Sequence, residues 1–133
     1  MFKVLLVDDS SIDITIIEDV LETYIPFQKR ITSFTDSAKA KSYYLSNDFD
    51  LIVTDIEMPE VDGFELIDCI KSNGRQPVIA ISGSHAEDNA TDTILYAANK
   101  CGADYVVSKA TLYDDLASLL TNICHQNCVV KVN

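Results

Sequence analysis

Four apolar runs with no in/out alternation constrain this chain most: Val4-Leu5-Leu6-Val7, FDLIVT from Phe49, PVIAIS from Pro77 and YVVS from Tyr105. A strand with one wet face alternates apolar and polar residues, whereas an unbroken apolar run is buried on both faces. Such strands belong to a parallel sheet covered by helices. The stretches between them carry helical spacing. Ile12, Ile16, Ile17, Val20, Leu21 and Tyr24 mark a helix over Ser11 to Tyr24, capped by Ser10 or Ser11 and stopped by Pro26. Ile31 to Phe34 is a second, more polar strand, and Asp36 or Ser37 opens a helix to Leu45. After Pro59 and Asp62-Gly63 comes a helix from Phe64 to Lys71, with Asn73-Gly74 closing it in the left-handed conformation. A polar loop from Gly83 to Asn89 precedes a helix from about Ala90 to Cys101, ended by Gly102. Leu112, Leu116, Leu119, Leu120 and Ile123 form the last helix. The sum is an α/β fold: a five-stranded parallel sheet, doubly wound, with five helices.

A chain of 133 residues has the length of one domain. No apolar run approaches the roughly 20 residues of a membrane span. Acids follow the first apolar run at once and no small-residue cleavage site appears, so no secretory leader is expected and the location implied is cytoplasmic. Ten basic residues against 21 acidic ones give a net charge of -11. That balance disfavours nucleic acid and anionic membrane surfaces, both of which need clustered Lys and Arg. Cys69, Cys101, Cys124 and Cys128 are irregularly spaced and read as reduced thiols rather than a disulfide framework. Cys124, His125 and Cys128 lack the second cluster that would complete a zinc site.

In an open parallel sheet, ligands sit outside the carboxyl ends of the strands. The residues there are Asp8 and Asp9 after the first strand, Asp55 after the third, Ser82 after the fourth and Lys109 after the fifth. A lone Asp before a helix is ordinarily a cap; the convergence of all five on one edge is what points to chemistry. Clustered carboxylates need a cation, and hard oxygen donors with room for water suit magnesium. A carboxylate can also attack phosphorus to give an aspartyl phosphate, whose peripheral oxygens a metal, a hydroxyl and an ammonium would neutralise. Asp8 and Asp9 are therefore candidates for the metal side, Asp55 for the nucleophile, and Ser82 and Lys109 for the phosphoryl clamp.

VLLVDDS, FDLIVTDIEMPEVDGFEL, VIAISGS and GADYVVSKA together resemble the receiver domains of two-component response regulators, of the chemotaxis-regulator type. The resemblance runs from about Lys3 to Ile123, and Asp55-Ile56-Glu57-Met58-Pro59 closing with Asp62-Gly63 is its most specific part. It implies a flavodoxin-like strand order 2-1-3-4-5, with residues 1–124 as the receiver domain and 125–133 as a C-terminal tail. It also implies that Asp55 takes phosphate from a sensor histidine kinase or a phosphotransfer protein. Magnesium would lie among Asp8, Asp9, Asp55 and the backbone carbonyl of Glu57. Such a domain is a switch rather than an enzyme, reporting to a downstream protein or a fused effector. Glu57 and Ser84 are expected to tune the phosphoryl lifetime. Two departures stand out: Val106 where the family carries an aromatic, with Tyr105 one residue earlier, and Ala110 where a Pro follows the Lys. They imply that the Gly83 to Asn89 loop carries most of the switch. The alternative is a small magnesium-dependent aspartyl-phosphate phosphatase. Against it, the first strand ends in Asp8-Asp9 rather than Asp-x-Asp, and the chain has no room for a cap domain.

Overall fold

A computed structural model of the chain describes residues 1–58, 62–83 and 102–132, with side chains as far as residue 126 in the last stretch. Its elements in chain order are β1 (Phe2–Val7), α1 (Ser11–Tyr24), β2 (Lys29–Phe34), α2 (Ser37–Ser46), β3 (Leu51–Asp55), α3 (Gly63–Asn73), β4 (Val78–Ser82), β5 (Tyr105–Ser108), a 3-10 turn (Lys109–Thr111) and α4 (Leu112–Val132). The strands form one parallel sheet in the order β2-β1-β3-β4-β5. Four α-helices fall among the described residues; the helix expected from about Ala90 to Cys101 lies outside them.

The unbroken apolar runs have the meaning read from them. Val4, Leu6, Val53, Ile79, Ile81 and Val107 pack on one face of the sheet against α1 and α4, whose Ile17, Val20, Leu21, Leu116 and Leu120 are buried. Leu5, Val7, Ile52, Val78 and Ala80 pack on the other face against Leu66, Ile67 and Ile70 of α3 and Ala40 and Tyr44 of α2. Both faces are thus dry, and each buried Leu or Ile contributes about 1.5–3 kcal/mol. β2, an edge strand, has no fully buried residue and begins at Lys29 rather than Ile31, because one exposed side lets polar residues pair.

Two details differ from the sequence reading. α4 runs on to Val132, past the last periodic apolar residue Ile123 and through the expected tail. Gly74 does follow α3, but at φ -158 and ψ 179 it is extended rather than left-handed, with its amide donating to the Ile70 carbonyl at 2.9 Å. The left-handed glycine is Gly102, at φ 103. Cys124 is buried within the α1/α4 core cluster, in keeping with the reading of the cysteines as buried thiols.

Gly63 fixes where α3 meets the end of β3. Its amide donates to the Ile56 carbonyl at 2.9 Å, and a Cβ there would lie against Ile56 Cα and 2.5 Å from the Asp55 carbonyl oxygen. Asp62 caps the same turn by accepting from the Glu65 amide at 2.9 Å. Gly63→Ala is therefore expected to cost about 1–3 kcal/mol by overpacking, read as a fall in the urea midpoint.

Candidate functional site

The sheet register sets the site. Val7 of β1 pairs with Thr54 of β3, so Asp8 and Asp55 follow side by side on the two central strands. Ser82 of β4 pairs with Ser108 of β5, which places Lys109 next along the same edge. Asp8 is fully buried and Asp55 is 3% exposed, while Asp9 is exposed. Oxygens of Asp8, Asp9 and Asp55 lie within 4.8 Å of one another. Asp9, Asp13, Asp55, Glu57, Gly83 and Lys109 line an open cavity of about 350 Å³. A wider cleft of about 500 Å³ beside Phe34 and Tyr43 contains no carboxylate.

Local hydrogen bonds aim these groups. Asp8 Oδ1 accepts from the Ser10 amide at 2.9 Å, and Ser10 Oγ caps α1 by accepting from the Asp13 amide at 3.3 Å. Asp55 Oδ1 accepts from the Glu57 amide at 3.3 Å. Their other oxygens face the Lys109 ammonium, 3.0 Å from Asp8 Oδ2 and 3.4 Å from Asp55 Oδ2. Asp8 Oδ2 is buried and makes an ion pair there without an aligned hydrogen bond.

Burial raises the pKa of Asp8, against the opposing pull of the Ser10 amide and Lys109. Asp55 is pushed up to about 6, first by burial and then by the charge of Asp8, which together outweigh Lys109. For Lys109, burial pulls the ammonium down, but the carboxylates of Asp13, Asp8 and Asp55 around it more than offset this and hold the pKa above its ordinary value. The cluster carries more negative charge than one ammonium balances. The fit to a divalent cation follows from this donor set: three carboxylates with oxygens within 4.8 Å of one another, a buried Asp8 Oδ2 without a hydrogen bond, and an open cavity with room for water.

Of the residues singled out by sequence, Asp8, Asp9, Asp55, Glu57 and Lys109 come together. Ser82 sits on the same edge, fully buried, but its hydroxyl donates to the adjacent Gly83 carbonyl at 3.3 Å rather than into the cavity. Ser84 lies outside the described residues, as does the rest of the expected loop from there to Asn89. Tyr105 packs with the α1/α4 cluster and Val106 with the α2/α3 cluster, so the two point to opposite faces. Sequence reasoning missed Asp13, whose carboxylate is the nearest of all to Lys109, at 2.8 Å. The available signal was an acid in the first turn of the helix that leaves the functional edge.

A family model of the response regulator receiver domain matches residues 4–121. Among curated proteins, the chain is 30% identical over 123 residues to stress response regulator protein 1 of Lodderomyces elongisporus, covering 91% of this chain and 33% of that protein. It is 37% identical over 115 residues to the transcriptional regulatory protein NatR of Bacillus subtilis, covering 79% and 48%. The chain thus spans between a third and a half of these relatives. Among solved structures, a Francisella response regulator receiver domain is 27% identical, with a TM-score of 0.70 over 96% of this chain and 99% of that one. A Clostridium thermocellum receiver domain protein, at 22% identity, shares the fold with a TM-score of 0.74 over 98% and 99%. These comparisons give no support to the small phosphatase.

Proposed function

This chain belongs to the response regulator receiver domain family, a family of phosphoacceptor signalling domains, and from that membership we propose that Asp55 is its phosphoacceptor. The observation that carries the assignment is Asp55 itself: a buried carboxylate at the end of a central strand, beside two more acids and 3.4 Å from an ammonium, at an open cavity. In the transfer, an Asp55 oxygen attacks the donor phosphorus. The new O–P bond forms as the donor's bond to phosphorus breaks, with its electron pair leaving on the donor. Lys109 offers its ammonium to a peripheral phosphoryl oxygen, and the Ser82 hydroxyl rotates from the Gly83 carbonyl to another.

Receiver domains generally use magnesium at an acidic pocket. Here Asp8, Asp9, Asp55 and the Glu57 carbonyl would hold it, and the bound ion supplies charge neutralisation between carboxylates and phosphoryl. Receiver domains are signalling domains rather than classical enzymes, and the chemistry proposed is confined to the domain's own phosphorylation and dephosphorylation. Glu57 lines the cavity, which supports a role in orienting a water in the second of these.

Response regulators interact with histidine kinases and downstream effectors. The donor proposed is a histidine kinase or phosphotransfer protein in the cytoplasm, and the output is a conformational change read by a partner or attached effector. No helix among the described residues is long and apolar enough to cross a membrane. The receiver unit proposed is residues 1–124, with 125–133 as its C-terminal tail.

The test is mass spectrometry after incubation with magnesium and acetyl phosphate. One added phosphoryl group mapped to Asp55 is expected; a label elsewhere, or none, refutes the assignment. A second prediction concerns the metal. Asp9 is exposed and contributes little to the core, so Asp9→Ala is expected to fold normally yet weaken magnesium binding by tenfold or more, about 1.4 kcal/mol. Calorimetric titration showing wild-type affinity would remove Asp9 from the ligand set.

A further inference from the structure

Asp13 lines the cavity but belongs neither to the acidic cluster nor to the end of a strand. It stands in the first turn of α1, where its amide is pinned by Ser10 Oγ. In the capping arrangement for such a residue, its carboxylate would turn back to the amide of the cap residue. Here Asp8 Oδ1 already takes the Ser10 amide, and the Asp13 carboxylate turns to Lys109 instead. The ammonium donates to Asp13 Oδ2 at 2.8 Å and, at the longer distance of 3.4 Å, to Asp55 Oδ2. Asp13 also lines the cavity next to Asp55 and Gly83.

We propose that Asp13 is a positioning residue that draws the Lys109 ammonium off Asp55 and thereby restrains phosphorylation. The proposal rests on Asp55 being the phosphoacceptor. When an Asp55 oxygen attacks acetyl phosphate, the O–P bond forms, the anhydride P–O bond breaks and acetate leaves with the electron pair. Negative charge then gathers on the peripheral oxygens of the transferring group. Lys109 has three N–H donors, and the one held by Asp13 at 2.8 Å keeps the ammonium on the Asp13 side, away from that charge; the Asp13 carboxylate itself also repels an incoming phosphoryl anion. Both effects oppose transfer, and both depend on the charge of Asp13 rather than on its shape.

The experiment compares wild type, Asp13→Asn and Asp13→Glu. The readouts are the second-order rate of labelling by acetyl phosphate with magnesium, and the Lys109 ε-carbon NMR resonance without magnesium. Asp13 is partly exposed, so both variants are expected to fold. Asp13→Asn is expected to label about five- to tenfold faster, with the gain shrinking as salt is raised. Asp13→Glu, which keeps the charge, is expected to stay within about twofold of wild type. The Lys109 resonance is expected to move in the Asn variant and to return toward wild type in the Glu variant. A rate for Asp13→Asn equal to or below that of a wild type that labels on Asp55 overturns the proposal. If wild type fails to label on Asp55, the functional assignment fails on its own account. The resonance then decides the remainder: no change in Asp13→Asn means that Asp13 does not hold Lys109.

Discussion

Asp55→Asn is expected to abolish phosphoryl labelling and, without magnesium, to make the protein more stable at neutral pH. The first effect follows from replacing the attacking carboxylate by an amide. The second follows from electrostatics. Asp55 is 3% exposed, and burial followed by the charge of Asp8 raises its carboxyl from 3.8 to about 6. A raised acid pKa means that, between those values, the folded chain keeps a proton that the unfolded chain has lost. Stability therefore falls as pH rises through that window and stays low above it. The shift corresponds to about 3 kcal/mol at neutral pH. The amide cannot ionise and escapes that cost, in which the pull of Lys109 is already counted; an amide that satisfies the carboxylate's hydrogen bonds less well takes part of it back, so a net gain of about 1–2 kcal/mol is expected. Urea unfolding at pH 7 and pH 4 checks the sign. The variant should be the more stable at pH 7, and the gap should narrow at pH 4, where the wild-type carboxyl is largely protonated in the fold. Magnesium should also narrow it, since only an intact acidic site gains from the ion by mass action. A variant less stable than wild type at pH 7 without magnesium would show that Lys109 more than offsets the burial of Asp55.

The sheet was legible because its signal is local. Leu5 and Leu6 are adjacent, both apolar and both fully buried on opposite faces, so the run could only be a strand covered twice. The edge that gathers Asp8, Asp55 and Lys109 was legible for the same reason, because parallel strands deliver their carboxyl ends to one side. The opposed faces of Tyr105 and Val106 follow from strand alternation alone. What escaped depends on contacts rather than on pattern. Gly74 looked left-handed by its place after a helix, yet its backbone is extended. Past Ile123 the run of α4 to Val132 has only Cys124, Cys128 and Val132 at helical spacing, with the polar His125-Gln126-Asn127 between the first two. The choice of Lys109 between Asp13 and Asp55 turns on a difference between 2.8 and 3.4 Å, and no spacing along the chain encodes it. The Ser82 hydroxyl likewise sits where the strand puts it but points to its nearest acceptor.

Lys109→Met is expected to be the most damaging single charge removal among these residues, and the comparison with Lys71 explains why. Lys71 lies 2.6 Å from Asp104, closer than Lys109 lies to any acid. Asp104 is 40% exposed at the side chain, however, so water solvates it once the ammonium is gone. Asp8 is 0% and Asp55 4% exposed at the side chain, and neither has that recourse. Burial, not distance, decides the outcome: Lys71→Met should cost about 1 kcal/mol or less, and Lys109→Met about 3 kcal/mol at pH 7 without magnesium. The sign of the pH dependence separates this from a simple packing loss. Without the ammonium, Asp8 and Asp55 are raised further than they already are, so the variant must regain stability as pH falls and both carboxyls take up protons. Magnesium should restore stability in the same way, by supplying the missing positive charge. A packing defect would respond to neither. Equal losses in Lys71→Met and Lys109→Met, or a deficit unchanged by acid and magnesium, would mean that the buried carboxylates do not depend on Lys109 for their compensation.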